Sequence, residues 1–259
     1  VATNQNEKDR LDDLLKTGSE NGLKNLQRLN KYEIKEIEPY VEGLSAILVP
    51  ETGIIDYRQV ATTLASLITS INSDSKILTN SEVIDFIDKK SSSIVITRRD
   101  KFQCKNIIFC AGLFADRLAK KENTDLDLKI VGFRGDYYVL KDEAKHKVKH
   151  LVYPVPNPEF PFLGVHFTRM TNGDIECGPN AVFTFKREGY KKRDFSIKDT
   201  LDALNYIGTW RLFKNHWKFG LNELIKASSK RVFLHHLRKL IPSLTMSDIV
   251  PGRSGVRAI

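Results

Sequence analysis

The stretch Gly164-Val165-His166-Phe167-Thr168-Arg169-Met170-Thr171-Asn172-Gly173-Asp174-Ile175-Glu176-Cys177-Gly178-Pro179-Asn180 sets how the rest of the chain is read. Two apolar runs that alternate with polar residues are joined by Thr171-Asn172-Gly173-Asp174. Asn-Gly tolerates positive φ, so the joint predicts a β-hairpin. A period of two along the first strand puts His166 and Thr168 on one face, and Val165, Phe167 and Arg169 on the other. The second strand, Asp174 to Cys177, runs into Gly178-Pro179-Asn180, which leaves Asn180 at its end. Polar groups among bulky apolar ones suit the wall of a pocket for a small polar ligand. An ordinary strand with one polar face has the same pattern.

Working outward, Asn4 opens a helix carrying Leu11, Leu14 and Leu15, and Asn30 caps a second one over Lys31 to Ile37. Ser45 to Pro50 is an expected strand, and Arg58 to Ile71 an expected helix with Val60, Leu64 and Leu67 on one face. Strands are expected over Lys76 to Phe86, Ser92 to Arg98 and Cys104 to Cys110. The last ends so apolar that burial on both faces is expected. Leu128 to Leu140 is a long strand. Ser196 to Leu244 is mostly helical, with an aromatic stripe of Trp210, Phe213 and Trp217 that reads as core. The chain closes on a strand through Ile249 to Ile259.

With 259 residues, 41% of them hydrophobic, the chain can bury a sizeable core in one large or two modest domains. No apolar run approaches the roughly 18 residues that cross a membrane, and no signal-peptide pattern is present. Cys104, Cys110 and Cys177 lack Cys-x-x-Cys spacing, which argues against a zinc site or disulfide framework and fits a reducing, cytoplasmic setting. The net charge of +9, with runs such as Lys186-Arg187 and Lys191-Lys192-Arg193, fits a lysine-rich solvated surface. It also leaves open an anionic substrate, or a peripheral association with an anionic inner-membrane surface. No nucleic-acid signature accompanies it, so no nucleic acid partner is expected.

Four segments together carry a resemblance. They are Ile107 to Asp116 with its Cys110-Ala111-Gly112, Gly132 to Tyr138, the hairpin with Gly178-Pro179-Asn180-Ala181-Val182, and Gly255-Val256-Arg257-Ala258. In this order the chain resembles the FAD-dependent L-2-hydroxyglutarate oxidases and dehydrogenases, within the D-amino-acid-oxidase and glycine-oxidase superfamily. The likeness covers nearly the whole chain. It implies an α+β fold, with a mixed-sheet substrate domain over 1–56 and 121–248. Residues 57–120 and 249–259 would then form part of an FAD-binding α/β domain. The implied reaction is oxidation of an α-hydroxy dicarboxylate by hydride transfer to flavin. A glycine- or sarcosine-type amine oxidase, or an inactive basic binding module, is the alternative.

The resemblance also implies roles. Arg257 matches the superfamily position that holds the substrate's α-carboxylate. His166 is the candidate catalytic base, since imidazole titrates near neutral pH. Arg169 and Arg134 are candidates for the distal carboxylate, and Asn180 for a donor to substrate or flavin. Strand parity turns Arg169 away from His166. Tyr138 and Tyr153 are expected in core or pocket wall. Val83, with Glu82, would meet the adenine edge, and the Ala111-Gly112-Leu113 turn would approach the pyrophosphate.

One departure matters. The Gly-x-Gly-x-x-Gly that cradles the pyrophosphate in such enzymes is not found among the 15 glycines. The His-containing flavin loop and the closing C-terminal segment are not matched either. The chain therefore reads as an internal fragment of a larger flavoenzyme, expected to hold FAD weakly or not at all by itself.

Overall fold

The hairpin turns where the Asn-Gly joint puts it. A computed structural model describes residues 1–89, 92–122, 125–158 and 164–259, with backbone alone at 216, 218, 219, 221, 222, 224 and 226. The chain divides into two compact units, Val1–Ile54 with Val131–Ile259, and Ile55–Ile130. The architecture is α+β, and the strand ladders among the described residues are antiparallel.

The first unit starts with helices α1 (Gln5–Asp9) and α2 (Leu11–Glu20), then strand β1 (Gln27–Asn30), helix α3 (Lys31–Ile37) and strand β2 (Ser45–Leu48). Asn4 caps α1, and Asn30 with Glu33 forms a capping box on α3, so these asparagines satisfy otherwise orphaned helix N–H groups.

The second unit holds helix α4 (Tyr57–Ile71), capped by Asp56, and strands β3 (Val83–Asp88), β4 (Ser93–Thr97) and β5 (Lys101–Cys104). These strands form a three-stranded sheet in sequence order, with β3 at one edge. A 3₁₀ turn, Gly112–Phe114, leads into helix α5 (Ala115–Lys121). The expected strand over 104–110 is corrected here. Regular pairing stops at Cys104, and 106–110 has no ladder partner among the described residues. Ile108 is 87% exposed, so burial on both faces is not observed. An apolar run becomes a strand only where a neighbouring strand accepts its backbone groups.

The chain then returns to the first unit with strand β6 (Gly132–Leu140), a 3₁₀ helix (Asp142–Lys147), and strands β7 (His166–Arg169), β8 (Ile175–Gly178) and β9 (Val182–Phe183). Helices α6 (Ile197–Leu204), α7 (Ile207–Ser228) and α8 (Lys230–Leu237) precede the final strand β10 (Ile249–Ala258). The sheet order is β10-β6-β8-β7, with β9 also paired to β6. Residues 249–258 therefore pair within the first unit, and are not grouped with 57–120. Residues 159–163, on the approach to β7, lie outside the described residues.

One face of this sheet is core. Phe167, Ile175, Cys177, Leu140 and Ile249 are fully buried against Phe233 and Leu237 of α8, with the Tyr138 ring 4.7 Å from that of Phe233. Burial holds the Cys177 thiol far above its ordinary pKa, so it behaves as a small hydrophobe. The helical aromatic stripe differs from its expected core role. Trp210 and Trp217 are 52% and 60% exposed, and Phe213 alone of the three is packed inward, on Phe183 at 5.4 Å. Among the basic runs Arg187 is buried and ion-paired with Asp202 at 3.0 Å, so it does not belong to a solvated surface.

Candidate active site

Sheet register decides which candidate residues share a face, because directly paired residues project the same way. Arg257 pairs with Phe133, and Glu176 pairs with both Val139 and Thr168. Phe133 and Val139 have the same parity on β6, and Thr168 and His166 the same parity on β7. Arg257 and His166 therefore sit on one face of the five-stranded sheet, opposite the core. Arg134 pairs with Val256 and projects to the other face.

His166 is 7% exposed, and its ring stacks on that of Tyr153 at 4.5 Å with 22° between the planes. Its Nδ1 lies 3.0 Å from the Gly164 carbonyl oxygen. A carbonyl only accepts, so Nδ1 carries the proton, and Nε2 of the neutral ring offers a lone pair. Nε2 has no partner among the described residues and is not counted there among the fully buried unsatisfied atoms, so it keeps some accessible surface. Burial lowers the imidazole's pKa below its usual 6.5. The Gly164 contact opposes this, and the Arg257 charge adds to it. The result is a base that stays neutral at physiological pH.

The Arg257 guanidinium is exposed and makes no hydrogen bond or ion pair among the described residues. The other two candidate arginines are engaged. Arg134 is buried, donates from Nε to Asp136 Oδ1 at 2.8 Å and from Nη1 to the Lys191 carbonyl at 2.9 Å. Arg169 faces away from His166, as parity requires. It donates to the carbonyls of Lys149 (2.9 Å), Lys145 (3.4 Å) and Val148 at the end of the 3₁₀ helix. Asn180 is buried against Asp136. Register thus puts His166 and Arg257 on one face, on the two edge strands of the sheet, with the Arg257 charge acting on the imidazole. Arg134, Arg169 and Asn180 are held in structural bonds instead.

Two residues were not singled out for the site by sequence. Asp136, the hub that Arg134, Asn180 and Ser254 share, sits in the Gly132 to Tyr138 segment; Gly135 beside it was the available signal. Tyr153, expected only as core or wall, covers the His166 ring.

In the second unit, Val83 opens the edge strand and is 42% exposed. Ala111 caps the 3₁₀ turn, with the Phe114 N–H donating to its carbonyl at 3.0 Å. Gly112 has φ +50, and a Cβ there would meet nothing within 4 Å, so its backbone conformation and open surroundings both suit a close approach. Leu113 follows within the same turn.

A concavity of about 550 Å³ in the first unit lies among Ile34, Ile37, Val41, Leu48 and Tyr153. Its buried carboxylate and its arginine already have partners: Glu38 accepts from the Lys149 and His150 N–H groups and from His150 Nδ1, and Arg169 caps the 3₁₀ helix. Its lining is mostly apolar and it does not include His166 or Arg257, the base and the cation that the chemistry calls for, so the His166–Arg257 face is the better candidate.

The whole chain, residues 1–259, matches a family model described as FAD dependent oxidoreductase. The chain belongs to that family. It is 42% identical over 259 residues to L-2-hydroxyglutarate dehydrogenase of Indibacter alkaliphilus, covering all of this chain and 64% of that protein. It is 42% identical over 270 residues to the mitochondrial L-2-hydroxyglutarate dehydrogenase of Bos taurus, covering 58% of it. Over 259 residues it is 40% identical to that of Escherichia coli K12, covering 61%. The chain thus spans roughly three fifths of the length of these relatives. Among solved structures, FAD-bound L-alpha-glycerophosphate oxidase from Mycoplasma pneumoniae is 25% identical, with a TM-score of 0.71 over all of this chain and 60% of that one. Glycine oxidase from Geobacillus kaustophilus shares the fold at a TM-score of 0.67 and 17% identity, over all of this chain and 57% of that one. Among the described residues no helix is long and apolar enough to cross a membrane, and no group of three metal-ligating side chains occurs.

Proposed function

We propose that this chain supplies the substrate-facing part of an FAD-dependent enzyme that oxidises L-2-hydroxyglutarate to 2-oxoglutarate. The observation that carries the reading is the shared sheet face of His166 and Arg257, one a neutral base and the other a cation without a partner among the described residues. The relatives' names, at about 40% identity over the full chain, supply the substrate.

Arg257 binds the α-carboxylate, because its planar fork matches a carboxylate with two parallel N–H donors. His166 Nε2 accepts the hydroxyl proton as C2 becomes a carbonyl carbon, and the Gly164 contact keeps the ring in the tautomer that can do so. Stacking on Tyr153 fixes the ring plane. FAD, when bound, would supply the acceptor for the hydride that leaves C2. Val83 at the sheet edge and the Ala111-Gly112-Leu113 turn are the residues of this chain that would meet it, and the glycine turn fits that task. Arg134 and Arg169 keep structural partners in this reading, so the distal carboxylate is met by other cations.

The test is to assay the full-length, flavin-loaded enzyme with L-2-hydroxyglutarate, glycine and sarcosine, following 2-oxoglutarate formation. Turnover of the hydroxy acid, with Arg257→Ala raising KM at least 10-fold, supports the reading. Turnover of the amines alone, or an unchanged KM in Arg257→Ala, overturns it.

A further inference from the structure

The glycines of the β6–β10 ladder are Gly132, Gly135, Gly252 and Gly255, and packing within the chain accounts for all but the last. A Cβ at Gly132 would fall 2.7 Å from the Thr184 methyl, and one at Gly135 would fall 2.8 Å from Pro179 and 3.1 Å from the Asn180 carbonyl. A Cβ at Gly252 would meet Val139 at 3.0 Å and the Tyr137 carbonyl at 3.2 Å. At Gly255 a Cβ would meet nothing within 4 Å among the described residues, and the backbone there is not left-handed. Neither crowding nor φ requires glycine at this position. A strand-interior glycine weakens its strand and often marks a bulge, a bend or the close approach of a ligand or another backbone. The β10 irregularity lies between Pro251 and Ser254, and Gly255 itself pairs in register with Gly135.

The position says what that is. Gly255 precedes Arg257 by two residues on one strand, so both project to the same face. Its ladder partner is Gly135, so neither strand carries a side chain on that side of the Arg257–Phe133 pair, whereas Val131 and Ile259 flank the other side. Pro179 fills the Gly135 half of this notch and leaves the Gly255 half empty. The same face carries His166, more than nine-tenths buried, with Nε2 unpartnered among the described residues.

We propose that Gly255 is the floor of the subsite for the substrate's α-carboxylate, its missing Cβ letting the carboxylate lie against the β10 backbone within reach of Arg257. This rests on the reading of Arg257 given above. A methyl group at 255 would stand where that carboxylate lies, and an isopropyl group would cover the guanidinium's approach as well. The added methyl of Gly255→Ala would have no neighbour within 4 Å among the described residues, so that change is expected to leave the fold as it is.

The test uses Gly255→Ala, Gly255→Val and Arg257→Ala in the full-length, flavin-loaded enzyme. It reads KM and kcat for L-2-hydroxyglutarate, the Kd of 2-oxoglutarate from flavin fluorescence, flavin content after gel filtration, and the thermal midpoint. The expected result is a KM and Kd raised several-fold in Gly255→Ala and at least 10-fold in Gly255→Val, with flavin content and midpoint as in the parent. If Arg257→Ala raises KM while Gly255→Val does not, the subsite is overturned and the proposed function stands. If Arg257→Ala leaves KM unchanged, the reading of Arg257 falls and the subsite with it. A Gly255→Ala protein that loses flavin or melts earlier overturns the subsite too, because the glycine would then be packing against FAD or another protein segment.

Discussion

Asn180 and Asp136 hold each other from both ends. The Asn180 Oδ1 accepts the Asp136 backbone N–H at 2.7 Å, and its Nδ2 approaches Asp136 Oδ2 at 3.4 Å. Arg134 Nε (2.8 Å) and Ser254 Oγ (2.9 Å) donate to Asp136 Oδ1. One carboxylate thereby joins β6, the turn after β8, and β10 a few residues before Arg257. Removing its charge leaves the buried Arg134 guanidinium uncompensated, which typically costs about 3 kcal/mol or more. Asp136→Asn should therefore lower the unfolding free energy measured by urea titration by a corresponding amount. A free energy within about 0.5 kcal/mol of the parent, the range of ordinary surface changes, would show that the hub is not structural.

Arg169 offers a sharp contrast with Arg257. Its guanidinium closes the 3₁₀ helix at Asp142–Lys147 through three backbone carbonyls, on the sheet face opposite His166. Arg169→Ala should lower stability by about 1–3 kcal/mol, the cost of orphaned acceptors and lost charge-assisted bonds, and leave KM within about twofold. Thermal unfolding and steady-state kinetics on the same preparation check both halves. A large rise in KM with unchanged stability would move Arg169 into the substrate site.

Local signals sufficed to read the molecule from its sequence where a short-range rule governs. Asn172-Gly173 fixed the hairpin, Asn30 with Glu33 fixed the start of α3, and alternation placed Arg169 away from His166. The strand over 104–110 was not legible, because a strand's existence depends on partners that its own residues do not name. The aromatic helix misled for a similar reason: Trp210 and Trp217 have apolar bulk, but each stays more than half exposed among the described residues. The pairing of Arg257 with Phe133, which puts it on the His166 face, is a long-range register that no local pattern encodes. The same holds for Asp136, whose partners lie 44 and 118 residues away.

Gly112 has φ +50, in the left-handed region that costs an L side chain roughly 1–2 kcal/mol. No neighbour within 4 Å would clash, so the cost is conformational alone. Gly112→Ala should lower the unfolding free energy by about 1 kcal/mol, and weaken FAD retention in the full-length enzyme if the added methyl obstructs the pyrophosphate. Denaturant titration and flavin release on dilution separate the two effects. Retention equal to the parent would remove this turn from the cofactor site.

His166 links geometry to a pH profile. Burial first, and the Arg257 charge second, hold its pKa below 6.5, with the Gly164 contact partly opposing them. Only the neutral ring can take the hydroxyl proton, so kcat/KM should be flat at neutral pH and fall as pH drops through a value below 6.5. Stability follows the same sign. The unfolded chain takes up this proton near 6.5 while the folded one does not, so this group's contribution is full above 6.5 and is lost as pH falls from there toward the folded pKa. Arg257→Met removes one of the lowering influences, so the acid limb should move up toward 6.5 while burial keeps it short of that value. His166→Asn should abolish the limb and lower kcat by about 10²–10⁴-fold, the usual contribution of a positioned base. A limb that stays in place in Arg257→Met would show that the two side chains do not sense each other. A limb that survives in His166→Asn would assign the base to another group.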